Sequence, residues 1–479
     1  MKIESIQIKN VRSFRDQTVI QFQGSLNLLI GPNAGGKSNL LDILTVVIRK
    51  EFLHGYQVID ENTPRGLLKR IQRNQPFGGS YKERLAKFYG YDGSSTIKIT
   101  FKPTKEDIRN LTTLIQRRAD IESTLRNYVN GQDYQPKFLD SWNADGLNSE
   151  LPLEKSLVYD INEGTLGSLI PDKGCALFHS YLNWFELASI LDSQHDLGLD
   201  LTSCYYYFSP LRGVERGSFT ANLSETSYTQ TLTGYSEATS RSRTGVANLG
   251  TMYLAAKLRR FEAEADETGY GSRWNEDKDV QTLRKNLQRI GYDWNLRLID
   301  SAKNLYQGEL LYHGHPVDIG ETSSGEQEVL NFILGIFARN LKGGILLVDE
   351  PELHLHPQWQ TWLLATFNDI HEQYGNQIIV CTHSGTFITP KTISNVTRVY
   401  RDQERVSRVV SIPGEGIPTT RNAVHMLNAH NNQKMFFADV VLLVEGIKDR
   451  LIFDRLIKLY LETMGDPIVI EVLEVHGKH

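Results

Sequence analysis

The sequence is poor in cysteine, holds no long apolar run and carries no excess of positive charge. Three cysteines occur in 479 residues, Cys175, Cys204 and Cys381. They lie far apart and in no metal-ligand spacing, which excludes a disulfide scaffold and predicts reduced, partly buried thiols in a cytosolic protein. No uninterrupted apolar stretch approaches the ~20 residues that a membrane span needs. The opening residues, MKIESIQIKNVRSF, alternate polar and apolar where a signal peptide would have an apolar core. A soluble, cytoplasmic protein without membrane contact is therefore expected. The net charge of −5 excludes a globally basic nucleic-acid coat. It leaves room for a local basic channel, because charges act on phosphates over a Debye length of ~10 Å. No heptad run is long enough for an extended coiled-coil arm.

What is present is enough for several cores: 40% of residues are hydrophobic and 23% charged, and the length suggests more than one domain. Ile3, Ile6 and Ile8 predict a first strand. Leu26 to Ile30 is apolar at four of five positions, as in a strand buried on both faces. A Gly-rich turn follows, and Leu40, Leu41, Leu44 and Val47 then fall at helical spacing. A similar block lies downstream. Val329, Phe332, Ile333, Ile336 and Phe337 mark a helix face, and two short apolar strands follow, Ile345 to Val348 and Ile378 to Cys381. Between the blocks, 104–200 is polar with helical stretches, 217–251 is rich in Ser, Thr and Gly and reads as a mobile loop, and about 252–306 reads as helical. A third block opens with the strand Val440 to Val444, a helix marked by Ile452, Leu456 and Leu459, and the strand Ile468 to Val475. The expected division is a head with its phosphate loop over 1–104, a helical insertion over 105–204, and a loop and helical dimerisation region over 205–320. The second part of the head then covers 321–430, and the start of another α/β domain 439–479.

Gly31-Pro32-Asn33-Ala34-Gly35-Gly36-Lys37-Ser38 satisfies G-x-x-x-x-G-K-[ST] between a predicted strand and a predicted helix. Backbone N–H groups of such a turn cradle phosphate oxygens at a helix N-terminus. Lys37 would reach the β- and γ-phosphates and Ser38 would hold Mg²⁺, so ATP with Mg²⁺ is the expected ligand; Asn39, beside them at the helix start, is grouped with the nucleotide contacts. The strand Ile345 to Val348 delivers Asp349 and Glu350 at its end. Asp349 is placed to bind Mg²⁺ and Glu350 to orient or deprotonate the attacking water. Upstream, Ser323-Ser324-Gly325-Glu326 opens a helix, where a Ser-Gly pair serves either as an anion site or as a simple cap made by Ser324. His383 follows the strand that ends at Cys381.

This order resembles the ABC-type ATPases, including the structural-maintenance-of-chromosomes branch. The resemblance implies that Ser323, Ser324, Gly325 and Glu326 of one head contact the γ-phosphate held by another head, and that His383 is the switch histidine that senses it. Since the phosphate loop and this signature lie about 290 residues apart and on opposite faces of a head in that family, a head-to-tail homodimer sandwiching two ATP molecules is implied. Higher assemblies stay open. The sequence departs from the family at Thr322, where a leucine often stands, and its glutamine loop is not placed. His354 and His356 are read as the loop that meets the opposite head rather than as zinc ligands.

Leu442-Leu443-Val444-Glu445-Gly446-Ile447-Lys448-Asp449-Arg450 closely resembles the first motif of a Toprim domain. An ABC-like head followed by that motif is the layout of the OLD (overcoming lysogenization defect) family, which includes ATPase-nucleases of anti-phage defence. The resemblance runs in order through Asn10-Val11-Arg12-Ser13-Phe14, the phosphate loop, SSGEQ, DEPELHLHP, THS and LLVEGIKDR. It implies that Glu445 is a metal ligand of a nuclease centre. No D-x-D follows VIEVLEVHGK, and Glu471 and Glu474 within that strand do not replace it. Since phosphodiester cleavage on two metal ions needs several carboxylates, the expectation is no DNA cutting unless a partner or a further segment completes the site. The fold class implied is α/β: an ABC-type P-loop head, a mixed sheet with flanking helices, split by a largely helical insertion and followed by an incomplete Toprim-like segment. Arg65, Lys69, Arg70 and Arg73, and separately Arg241 and Arg243, offer two basic clusters for nucleic acid. Two functions fit. One is an OLD-like ATPase whose nucleotide state gates a nuclease. The other is a regulatory ATPase without nuclease activity that holds or releases a separate effector protein.

Overall fold

The computed structural model describes residues 1–53, 56–63, 66–73, 84–128, 155–163, 165–166, 173–195, 197–208, 219–222, 246–263, 271–302, 304–317, 322–338, 340–411, 432–464 and 468–474. The chain opens with β1 (Lys2–Lys9), β2 (Thr18–Gln21), β3 (Leu26–Ile30) and α1 (Lys37–Val47). The hairpin β4 (Tyr56–Thr63) and β5 (Gly66–Arg73) and the strand β6 (Thr96–Lys102) follow. Next come α2 (Lys105–Gln116), α3 (Arg118–Tyr128), β7 (Leu157–Asn162), β8 (Thr165–Leu166), α4 (Lys173–His195), β9 (Ser203–Phe208) and β10 (Phe219–Asn222). Helices α5 (Val246–Ala263), α6 (Gly271–Glu276) and α7 (Lys278–Gln288) lead to β11 (Tyr292–Asp300), β12 (Leu305–Tyr312) and β13 (His315–Val317). The second part of the head holds α8 (Ser324–Ala338), β14 (Leu341–Asp349), α9 (Pro357–Tyr374), β15 (Gln377–Cys381), β16 (Val396–Arg401) and β17 (Ser407–Ser411). β18 (Val440–Val444), α10 (Ile447–Met464) and β19 (Ile470–Glu474) come last.

The centre is a six-stranded sheet in the order β17-β16-β3-β15-β14-β9. All neighbours are parallel except β16 and β17. Its middle strands read as apolar runs because both faces are covered. Leu29, Ile345, Leu347, Ile379 and Cys381 face one core, while Leu28, Ile30, Leu346, Val348, Ile378 and Val380 face the other. The first core also holds the inward side of a second sheet, β2-β1-β6-β7-β8. A register shift between Ile3 and Ser5 in β1 explains why Ile3, Ile6 and Ile8 are all buried although strict alternation would separate Ile3 from Ile6.

Three stretches differ from the sequence reading. Residues 105–204 are not helical throughout, since β7 and β8 join the N-terminal sheet and β9 begins at Ser203. The stretch read as helical to about 306 gives way to strands at Tyr292. There Tyr292, Trp294 and Leu296 point into the core at every second position, a period-two pattern that wins once β12 pairs along the whole strand. The Ser-rich stretch is bounded by β10 and α5, and its residues 223–245, with Arg241 and Arg243, lie outside the described residues. In the last segment β18 and β19 pair in parallel, Val444 beside Glu474. Ile447, Leu451, Ile452, Leu456 and Leu459 of α10 are exposed. Among the described residues no helix is long and apolar enough to cross a membrane.

Candidate active site

The parallel order places three motifs at one edge. Leu29, Cys381 and Asp349 are register partners across β3, β15 and β14, so the phosphate loop, the Thr382-His383-Ser384 turn and the acidic pair all leave the carboxyl end of the sheet together. That end is where open α/β sheets bind ligands.

Gly31 has φ +137 and Gly36 φ +116, conformations open to glycine and strained for other residues. A Cβ on Gly31 would stand 2.1 Å from the Val399 carbonyl oxygen, and one on Gly36 2.3 Å from Ser407 Oγ. Gly36 is also the N-cap of α1 and supplies no side-chain acceptor, which leaves the first-turn N–H groups for an anion. The loop is pinned from behind. Ser407 Oγ lies 2.8 Å from both the Gly35 carbonyl and Ser13 Oγ. Asn39 Nδ2 donates to Ser13 Oγ at 2.8 Å, so the Asn39 side chain faces the Asn10–Phe14 loop.

Lys37 is 4% exposed, and its Nζ donates to the Gly31 and Pro32 carbonyls, each at 2.9 Å. Burial pushes its pKa below the ordinary lysine value, opposed by the Glu350, Asp349 and Glu352 carboxylates nearby. Asp349 is likewise 4% exposed. The Ser38 hydroxyl, the Asp349 carboxylate and the uncapped α1 amides form a set of hard oxygens and N–H donors, which suits Mg²⁺ and a polyphosphate.

Glu350 has φ 46, a left-handed conformation for a non-glycine residue, and its N–H donates to the Cys381 carbonyl at 2.8 Å. Its Oε1 stands 3.9 Å from His383 Nε2. Burial, and then the Lys37 ammonium, pushes the His383 pKa down to about 4. At neutral pH this is therefore a neutral ring beside a carboxylate, not an ion pair. Glu352 receives two hydrogen bonds, from Thr382 Oγ1 at 2.7 Å and from the His383 N–H at 2.5 Å. Burial raises its pKa, and these two bonds act against the rise.

At the signature, α8 begins at Ser324 and Ser323 is the capping residue, one position before the Ser324 that the capping alternative names. Glu326 N–H donates to Ser323 Oγ at 3.3 Å and Ser323 N–H donates to Glu326 Oε2 at 2.7 Å, a reciprocal capping box. Tyr292 Oη also donates to Glu326 Oε1 at 3.0 Å, so the Glu326 carboxylate holds the helix start. A Cβ on Gly325 would lie 3.5 Å from the His354 carbonyl oxygen, which sets the signature beside the PELHLHP segment. His356 is the N-cap of α9.

Residues 1–388 match the family described as AAA ATPase domain. The chain belongs to that family. Residues 436–479 of this ATPase match the TOPRIM domain described as overcoming lysogenization defect protein-like. The OLD nuclease of Thermus scotoductus is 30% identical over 155 residues, 30% of this chain and 29% of that one. Endonuclease GajA of Bacillus cereus is 24% identical over 166 residues, 29% of this chain and 24% of its own. The matched stretches span less than a third of the length of these curated relatives. Among solved structures, the Smc head bound to the C-winged helix domain of ScpA aligns with 87% of this chain and 98% of its own, at 13% identity and a TM-score of 0.43. An AAA ATPase domain followed by a segment that matches a Toprim domain is the architecture.

In this ATPase, Glu445 is exposed after β18, and Glu474 on the neighbouring strand pairs with Arg450 at 3.1 Å. Lys69, Arg70 and Arg73 lie on β5; Arg65 lies outside the described residues. Sequence reasoning gave no role to Ser13, Ser407, Val399 or Glu352. Ser13 and Glu352 carried a signal, each lying inside a motif of the resemblance, Glu352 as a third acid two residues beyond Glu350.

The depressed His383 makes a prediction about acid stability. A histidine whose folded pKa is lowered contributes stability that is fully present above its unfolded value of 6.5 and is lost as pH falls toward 4. Between about pH 7 and about pH 5, thermal unfolding should show His383→Gln losing less Tm than wild type. Equal losses would assign the acid sensitivity to other groups.

Proposed function

We propose that this chain hydrolyses ATP in a head-to-tail dimer and that its nucleotide state gates an anti-phage or DNA-processing effector, as the ATPase part of an OLD-like nuclease. The observation that carries the reading is the convergence of Gly31–Ser38, Asp349-Glu350 and His383 at one sheet edge. Lys37 and the α1 amides hold the phosphates, Glu350 orients and deprotonates the attacking water, and His383 meets the γ-phosphate as a neutral hydrogen-bonding ring. Ser38 and Asp349 would hold Mg²⁺, which when bound neutralises charge on the transferred phosphoryl oxygens. The polar groups of Ser323 and Glu326 bond to one another and to Tyr292, whereas the phosphate loop bonds to Ser407. A signature built separately from the phosphate loop supports composite sites shared between two copies.

A second reading, in which the C-terminal segment docks a separate effector, draws on the exposed apolar side chains of α10. Cleavage of plasmid DNA with Mg²⁺ or Mn²⁺, with and without ATP, separates the two when wild type is compared with Glu445→Ala. Cutting that responds to ATP and disappears in Glu445→Ala is the result expected of an OLD-like nuclease. ATP hydrolysis with no cutting by either protein assigns the effector to another polypeptide.

A further inference from the structure

Glu352 lies within DEPELHLHP and has been given no role of its own, yet it joins that segment to the Thr-His-Ser turn. Its two carboxylate oxygens serve different donors: Oε2 accepts from Thr382 Oγ1 at 2.7 Å and Oε1 from the His383 N–H at 2.5 Å. Thr382 Oγ1 accepts in turn from the Ser384 N–H at 3.0 Å, and Ser384 Oγ donates to Gln360 Oε1 at 2.5 Å. Gln360 Nε2 closes the ring by donating to the Leu355 carbonyl at 2.8 Å. Each residue of the Thr-His-Ser turn is therefore fixed to the segment that follows the acidic pair, and Glu352 makes two of the attachments. These contacts hold the backbone from which the His383 imidazole projects toward Glu350.

We propose that Glu352 is a positioning residue for ATP hydrolysis: it grips the Thr382 hydroxyl and the His383 amide so that His383 Nε2 faces Glu350. This rests on the proposed roles of Glu350 and His383. The carboxylate is suited to the task, because it offers one acceptor oxygen to the hydroxyl and another to the amide of adjacent residues, and charge-assisted bonds of this kind are the strong ones. Loss of the grip lets the ring drift by a fraction of an ångström to an ångström. Such a displacement costs up to about 100-fold in rate without touching the groups that bind nucleotide.

The test is steady-state ATP hydrolysis by the full chain, with ATP affinity measured separately by a fluorescent ATP analogue and folding checked by thermal unfolding. Glu352→Ala should lower kcat roughly 10- to 100-fold and leave the analogue's affinity and KM nearly unchanged. Thr382→Val, which removes one of the two donors, should give a smaller fall in the same direction and replaces the alanine variant if that one does not fold. The double variant Glu352→Ala/His383→Ala decides the route. If Glu352 acts through His383, the double variant is no slower than His383→Ala alone. Losses that multiply overturn the proposal, as does wild-type kcat in both Glu352→Ala and Thr382→Val. Wild-type turnover in His383→Ala and Glu350→Gln would instead sink the proposed site itself.

Discussion

Replacing Glu350 with Gln should reduce ATP turnover roughly 100-fold or more and leave ATP bound in a dimer that does not come apart. The fold will tolerate the change, because the constraints at this residue are on its backbone. Its N–H is held by the Cys381 carbonyl at 2.8 Å and its carbonyl accepts from Leu353 N–H at 3.2 Å. The left-handed φ of 46 is imposed by that turn at a cost of roughly 1 kcal/mol, a cost that Gln bears equally. Gln keeps the length and the polar head, so binding contacts survive, but it cannot take a proton from water. Phosphate contacts across the two copies then persist because nothing removes the γ-phosphate. Light scattering with Mg-ATP should show a species of twice the chain's mass that accumulates in Glu350→Gln and only transiently in wild type. Normal hydrolysis by Glu350→Gln would remove this residue from the mechanism, and a monomer at every nucleotide state would remove the composite site.

How much of this was legible in the sequence depended on whether the information was local. Leu26–Ile30, Ile345–Val348 and Ile378–Cys381 could be read as buried strands because each is a short apolar run closed by a turn, and each lies within a strand of the central sheet. The strands SCYYYF and VTRVYR drew no such reading, although they are β9 and β16 of the same sheet. Their aromatic and polar residues do not mark a period, and their place is set by pairing with β14 and β3, far away in sequence. The site divides in the same way. Gly31–Ser38 and Asp349-Glu350 are each contiguous and carry their chemistry in their spacing. Ser407, 394 positions from the Ser13 it contacts, has nothing local to distinguish it from any other serine. Asn39 and Glu326 show the converse. Each sits inside a motif and was grouped with the nucleotide contacts, yet the Asn39 amide holds Ser13 and the Glu326 carboxylate holds Ser323 and Tyr292.

The same distinction between motif and surroundings shapes what Lys37→Ala should do. Its ammonium is buried and ties the two ends of Gly31-Pro32 through both carbonyls. Yet burial disfavours its charged form, and removing a buried charge together with its desolvation cost offsets the two bonds lost. The nucleotide-free protein should therefore unfold close to the wild-type temperature. ATP affinity should fall by a factor of roughly 100 or more, since charge-assisted bonds to phosphate contribute about 1.5–3 kcal/mol each. Ligand linkage turns this into a single readout. At a nucleotide concentration about 100 times the wild-type Kd, binding stabilises the wild type by about 2.7 kcal/mol, so Mg-ATP should raise its Tm and leave that of Lys37→Ala nearly where it was. A large loss of Tm in nucleotide-free Lys37→Ala would show instead that the lysine is first a structural staple of the loop. A full ATP-induced shift in the variant would show that the loop amides, pinned by Ser407, hold the phosphates without it.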